Sequence, residues 1–162
     1  MRTYRYLIVG GGLTADAACR GIRERDPDGM IGVVANEADP PYARPPLTKA
    51  LWKGDDEDTI WCATADVGVD LRLGRTIVSL DLPAQVATDD VGEGYAYERL
   101  LLATGGRPPP LPLRGDGVIS CRHGAEYRRA RGLPLRGARA LMVGCGLSAP
   151  ATLTSTVWSR RD

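Results

Sequence analysis

The chain has 162 residues, 43% of them hydrophobic and 25% charged, which is enough for one domain with a real core and short for two complete nucleotide-binding domains. Twenty-one basic residues against 20 acidic ones leave a net charge of +1, so no broad field argues for nucleic acid or a membrane surface as partner. The four cysteines are dispersed, with neither a C-x-x-C pair nor metal-ligand spacing, and fit a reduced, cytoplasmic setting.

Residues 6–9 form a short apolar run, as expected of a strand buried on both faces of a parallel sheet. The run ends in Gly10-Gly11-Gly12, and from Thr14 the period becomes helical, with Ala15, Ala18, Cys19 and Ile22 on one face. Asp26-Pro27-Asp28-Gly29 supplies the stop, and residues 31–35 form a second buried strand. Together these make one βαβ unit. It opens with G-x-G-x-x-G/A at Gly10, Gly12 and Ala15. The first glycine allows the tight turn, the second lets backbone approach a pyrophosphate, and Ala15 keeps helix and strand close. The helix N-terminus, at Leu13 and Thr14, then offers amides and a positive dipole end to phosphate. Glu37 lies 22 positions beyond Ala15, at the end of the second strand, where an acid can take ribose hydroxyls.

Four prolines in residues 40–46 dictate a fixed, extended path, and residues 48–53 can begin a short helix. Residues 55–58 are all acidic and read as a solvated loop. Alternation in residues 69–73, 76–81, 85–88 and 95–97 reads as a small antiparallel meander inserted into the nucleotide-binding sheet. Residues 100–103 return as a buried strand ending at Thr104-Gly105-Gly106. Residues 107–112 are a proline-rich boundary, residues 126–131 a basic helical connector, and residues 140–143 another buried strand ending in Gly144-Cys145-Gly146. The expected division is a domain over residues 1–112, a connector over 113–137, and the start of a second nucleotide-binding unit over 138–162.

The segment from Glu37 through Pro41-Tyr42-Ala43-Arg44-Pro45-Pro46-Leu47-Thr48-Lys49 resembles the E-x-x-x-x-P-Y-x-R-P-P-L-S/T-K signature of ferredoxin-reductase-like and apoptosis-inducing-factor-like flavoproteins, in the pyridine nucleotide-disulfide oxidoreductase superfamily. Leu100-Leu101-Leu102-Ala103-Thr104-Gly105-Gly106 resembles their L-L-L-A-T-G-G stretch. The likeness runs in order from Tyr6 to Gly146. It implies an α/β fold: a Rossmann-like FAD/NAD(P)-binding parallel sheet with an antiparallel β insertion, C-terminally truncated. It implies FAD as cofactor, NADH or NADPH as electron donor, and a ferredoxin or similar acceptor.

The resemblance also implies roles for individual residues. Gly10, Gly12, Leu13, Thr14, Ala15 and Glu37 would hold FAD. Arg44 would pair with its pyrophosphate, a use suited to a planar fork of donors. Lys49 is the expected catalytic residue, an ammonium stabilising negative charge on the reduced flavin ring. Ala103, Thr104 and Gly105 would pass the FAD phosphates, and Val78 occupies the place of a backbone contact to adenine, its side chain expected to pack. Gly144 and Gly146 would begin the NAD(P)H site.

No cysteine falls in residues 40–49, where the glutathione-reductase branch carries its redox disulfide, so electrons are expected to leave the flavin directly. His123, the only histidine, reads as a surface or connector residue, and a histidine metal site is excluded by count. The chain departs from the family at Pro150 and Ala151, where a helix bearing a glutamate is expected. Residues 152–157 are rich in β-branched and hydroxyl side chains without amphipathic period, as a frameshift or truncation would leave them. The strands that close the FAD domain in the family lie beyond residue 162, so the expectation is slow or no turnover of NADH by the chain alone. A non-catalytic FAD- or nucleotide-binding fragment and a simple NAD-dependent dehydrogenase remain as competing readings.

Overall fold

The computed structural model describes residues 1–106, 118, 119 and 121–133. Six strands are present among them: β1 (Arg2–Val9), β2 (Ile31–Ala35), β3 (Asp70–Leu73), β4 (Ile77–Asp81), β5 (Val86–Asp89) and β6 (Gly94–Leu102). Two α-helices, α1 (Leu13–Arg25) and α2 (Gly124–Arg131), accompany them. The chain divides into two compact units, Met1–Ala43 with Trp61–Arg107, and Arg44–Ile60 with Pro108–Asp162.

The first unit is one six-stranded sheet in the order β3-β2-β1-β6-β5-β4. β1 lies between β2 and β6 and is parallel to both, and β3 extends the parallel part from β2. On one face, Ile8, Ile31 and Val33 pack with Ala15 and Cys19 of α1. On the other, Tyr4, Leu7, Val34, Ala87, Tyr95 and Tyr97 form a second cluster. Removing a side chain such as Leu7 or Ile8 from water contributes roughly 1.5–3 kcal/mol. Tyr4 and Leu7 reach the same face because the amides of Arg5 and Tyr6 both donate to the Met30 carbonyl, an irregularity that shifts the side-chain alternation.

Helix α1 runs against β1 and β2 and stops at Asp26, whose carboxylate accepts the Gly29 amide at 2.9 Å and the Tyr6 hydroxyl at 3.0 Å. Arg23 fixes its far end by donating to the carbonyls of Val67, Gly29 and Gly68.

The βαβ unit has the expected order and β2 the expected bounds, but the meander differs. Residues 69–73 contribute a parallel edge strand. An edge strand covered on one face alternates as an antiparallel one does, and here Val69 and Leu71 face the α1 cluster. The antiparallel part is β4-β5-β6, continuous with the main sheet. Residues 95–97 and 100–102 are a single strand: the start of β6 pairs with β5 while its whole length follows β1, so Glu98 and Arg99 do not interrupt it. Leu101 and Leu102, expected to be buried, are 38% and 57% exposed.

In the second unit, residues 44–60 wind into short 3-10 turns at Pro45–Thr48, Ala50–Lys53 and Glu57–Ile60. The expected extended path therefore ends before Pro45. Proline's fixed φ suits the first positions of such a turn, where an amide would lack an acceptor anyway. The acidic segment is likewise ordered: Asp56 accepts the Asp58 amide, and Glu57 pairs with Arg128. Leu47, Leu51 and Ile60 are buried, Trp52 meets Tyr127 edge-on at 5.6 Å, and Tyr127 donates to the Leu51 carbonyl. Helix α2 covers the expected connector, and the Glu126 carboxylate accepts the amides of Arg122 at 2.7 Å and His123 at 2.9 Å. The strand expected at residues 140–143 lies outside the described residues.

Candidate functional site

The parallel strands β1, β2 and β6 all end at the same side of the sheet, and the chain leaves β1 towards β2 and β3 before returning to β6 on its other side. The carboxyl ends of β1 and β6 thus flank a topological switch point, where α/β sheets bind ligands. Gly10, Gly11, Gly12, Glu37, Ala103, Thr104 and Gly105 follow directly on these strands.

The two motif glycines are constrained in different ways. Gly10 has φ +125°, and a Cβ built there would lie 2.1 Å from the Ala103 carbonyl oxygen. The glycine turn and the Ala103 strand end are therefore packed back to back, with the Ala103 amide donating to the Val9 carbonyl at 2.8 Å. Gly12 has ordinary extended backbone, φ −98° and ψ −172°, and a Cβ there meets no atom of the described residues within 4 Å. Nothing among the described residues fills the place of a Cβ at position 12, which leaves that space for a ligand.

Gly12 is the N-cap of α1, and no side chain caps the helix. Its carbonyl takes the amides of Ala15 and Asp16, which leaves those of Leu13 and Thr14 without an intrahelical acceptor, the arrangement that receives phosphate oxygens. Asp16, a carboxylate in the first turn, would repel an anion there. It is instead engaged by the Arg20 guanidinium at 3.0 and 3.2 Å and by the Thr64 hydroxyl at 2.7 Å. Ala15 is fully buried beneath this turn, as the motif demands.

At the end of β2, the Tyr42 hydroxyl donates to Glu37 Oε2 at 2.5 Å, and the Glu37 carbonyl accepts the Gly74 amide. Tyr42 is 2% exposed and is held by a bridge to Trp61 and an edge contact with its ring. The acid is thus aimed by a fixed phenol, a role that sequence reasoning did not assign although Tyr42 stands inside the proline signature. Val78 is on the edge strand β4 and 63% exposed, so its side chain does not pack as expected. Thr104 and Gly105 are exposed, with Gly105 at φ +67°.

Arg44 and Lys49 belong to the second unit, where a cavity of about 330 Å³ is lined by Arg44, Pro45, Leu47, Thr48, Lys49, Cys121 and Arg122. Three of the lining residues, Arg44, Lys49 and Arg122, are cationic. Arg44 donates to His123 Nδ1 at 2.8 Å and to the Arg122 carbonyl at 3.4 Å. Arg122 and His123 were not legible as site residues; their one signal is that they precede Glu126, which caps α2 and so holds both backbones. Burial, with Glu126 adding to it, pushes the Cys121 thiol up, away from the thiolate form. Among the described residues Cys19, Cys62 and Cys121 are free, and no group of His, Cys, Asp or Glu is arranged to hold a metal. No described helix is long and apolar enough to cross a membrane. Gly144 and Gly146 lie outside the described residues.

Residues 4–152 match the family model described as pyridine nucleotide-disulphide oxidoreductase. The chain belongs to this family. Members use FAD and NAD(P)H. Among its relatives is the biphenyl dioxygenase system ferredoxin–NAD(+) reductase component of Paraburkholderia xenovorans (strain LB400), 33% identical over 149 residues that cover 86% of this chain and 36% of the relative. Among solved structures, Fdr9 is 31% identical with a TM-score of 0.83, covering 98% of this chain and 40% of that one. The covalent putidaredoxin reductase–putidaredoxin complex is 25% identical with a TM-score of 0.84, covering 98% and 41%. The chain therefore spans well under half the length of the oxidoreductases it matches, and the Rossmann-like α/β fold is shared with them.

Proposed function

We propose that this chain binds FAD at the glycine turn after β1 as part of an FAD-dependent NAD(P)H oxidoreductase that passes electrons to a ferredoxin or similar acceptor. The observation that carries the reading is Gly12, a helix N-cap where a Cβ would touch none of the described residues and whose helix presents uncapped amides at a switch point. The residues present fit the group. Leu13 and Thr14 would hold the pyrophosphate through backbone amides, and Glu37, aimed by Tyr42, would accept the ribose hydroxyls. Bound FAD would supply the hydride acceptor for NAD(P)H and the onward electron donor.

For the second unit the proposal rests on side-chain chemistry. Arg44 offers a planar fork for a pyrophosphate, and Lys49 an ammonium for negative charge on a reduced ring. Arg122, on the wall of the same cavity, adds a third cation. Gly144 and Gly146 are proposed as the start of the NAD(P)H site, within residues 138–162. The test is the absorption spectrum of the purified chain after incubation with FAD and desalting. Retained flavin bands support the reading, and a colourless chain that leaves FAD fluorescence unchanged opposes it.

A further inference from the structure

We infer that Arg20 is a positioning residue for the phosphate end of α1: acting through Asp16, and together with Thr64, it takes up the carboxylate charge that the first helical turn would otherwise set against a bound pyrophosphate. The inference rests on the reading of that turn as the FAD site. Asp16 is the acidic residue in the first turn of α1. A carboxylate there stabilises the free helix because it faces the positive end of the dipole, and for the same reason it competes with an anionic ligand. The amides of Leu13 and Thr14, left without an intrahelical acceptor, lie two and three positions earlier, roughly 3 to 4.5 Å along the axis. At such a range like charges repel appreciably unless one of them is compensated.

Both oxygens of Asp16 are engaged. Oδ1 accepts the Thr64 hydroxyl at 2.7 Å and Arg20 Nη2 at 3.2 Å, and Oδ2 accepts Arg20 Nε at 3.0 Å. Thr64 is buried, at the start of a 3-10 turn over Thr64–Val67 that packs against α1. Arg20 reaches the same segment a second time, its Nη2 donating to the Cys62 carbonyl at 2.5 Å. The guanidinium is thus held between helix and segment, and its charge stands beside Asp16 by construction instead of swinging through solvent. The Asp16 side chain is only 14% exposed, so water screens its charge little and the cation matters more than in a pair on the open surface. Asp66, the other acid near Arg20, is exposed on the same turn.

A pair of variants separates this charge from the scaffold. Arg20→Met keeps the aliphatic stem but removes the cation and the bond to Cys62. Adding Asp16→Asn then removes the carboxylate charge, while the amide oxygen still accepts the Thr64 hydroxyl. R20M and D16N/R20M therefore share every lost contact of Arg20 and differ in the charge at position 16. FAD titrations followed by flavin fluorescence should give R20M a Kd about 3- to 5-fold above wild type, and the double variant a Kd back within about 2-fold of it. The gap between the two variants should narrow as salt rises from about 0.02 M to about 0.5 M, because screening acts on charge and not on packing. Circular dichroism checks that the samples are equally folded, and Arg20→Gln serves in the same comparison should R20M not fold. An R20M chain that binds FAD as tightly as wild type, a double variant as weak as R20M, or a gap indifferent to salt would overturn the inference alone. Failure of wild type to bind FAD would overturn the reading beneath it as well.

Discussion

Gly10 and Gly12 stand two residues apart in one motif, yet the first is required by the fold and the second only by what the fold receives. Gly10→Ala puts a methyl group into the Ala103 carbonyl at a φ that alanine rarely adopts, and should lower stability by at least about 2 kcal/mol, or prevent folding, in urea denaturation. Tyr42→Phe removes the hydroxyl that aims Glu37. It should cost about 1–2 kcal/mol in the same assay, since the acceptor is a carboxylate, and should weaken any ribose-bearing ligand. At this scale spacing was enough to place Gly10 and Gly12 in the turn after β1, Ala15 under the start of α1 and Glu37 past the end of β2. It was silent where a side chain acts on another across the fold. Asp16 with Thr64 and Arg44 with His123 meet over separations that no local pattern records, and the Tyr42 bond to Glu37, though only five positions long, depends on how the proline segment folds back.

The elements show the same division between local and non-local causes. The opening strand, glycine turn, helix and second strand follow from hydrophobic period and turn chemistry, and α1 and β2 fall where those signals lie. The meander was misread because alternation reports one-sided burial, which a parallel edge strand and an antiparallel strand share. The turn from β5 into β6 has its own anchor in Asp89, which is 2% exposed. Burial opposes its charge, but the Tyr95 hydroxyl at 2.7 Å and the amides of Glu93 and Val91 outweigh it, so its carboxyl titrates below the usual carboxylate range. A depressed value in the folded state means that Asp89 stabilises the fold fully above the unfolded carboxylate value of about 4, and that this is lost as pH falls through the folded value. Asp89→Asn should therefore lower stability at neutral pH and flatten its decline in acid, read as urea midpoints across that range. An unchanged acid limb would show that other carboxylates govern it.

For the whole molecule, the strand order assembles a site from segments that are remote in sequence. Residues 10–15, 37 and 103–105 converge because β1 is flanked by β2 and β6, and only the packed topology makes Ala103 the wall behind Gly10. The central claim is that this switch point holds FAD, and Gly12→Val tests it directly. The extended backbone at Gly12 accepts valine and a Cβ there meets no atom of the described residues within 4 Å, so the fold should lose at most about 1 kcal/mol from the poorer N-cap. FAD titration of wild-type and G12V chains, with circular dichroism to confirm equal folding, should show binding by the first and its loss in the second. A G12V chain that binds FAD as tightly as wild type would contradict the account.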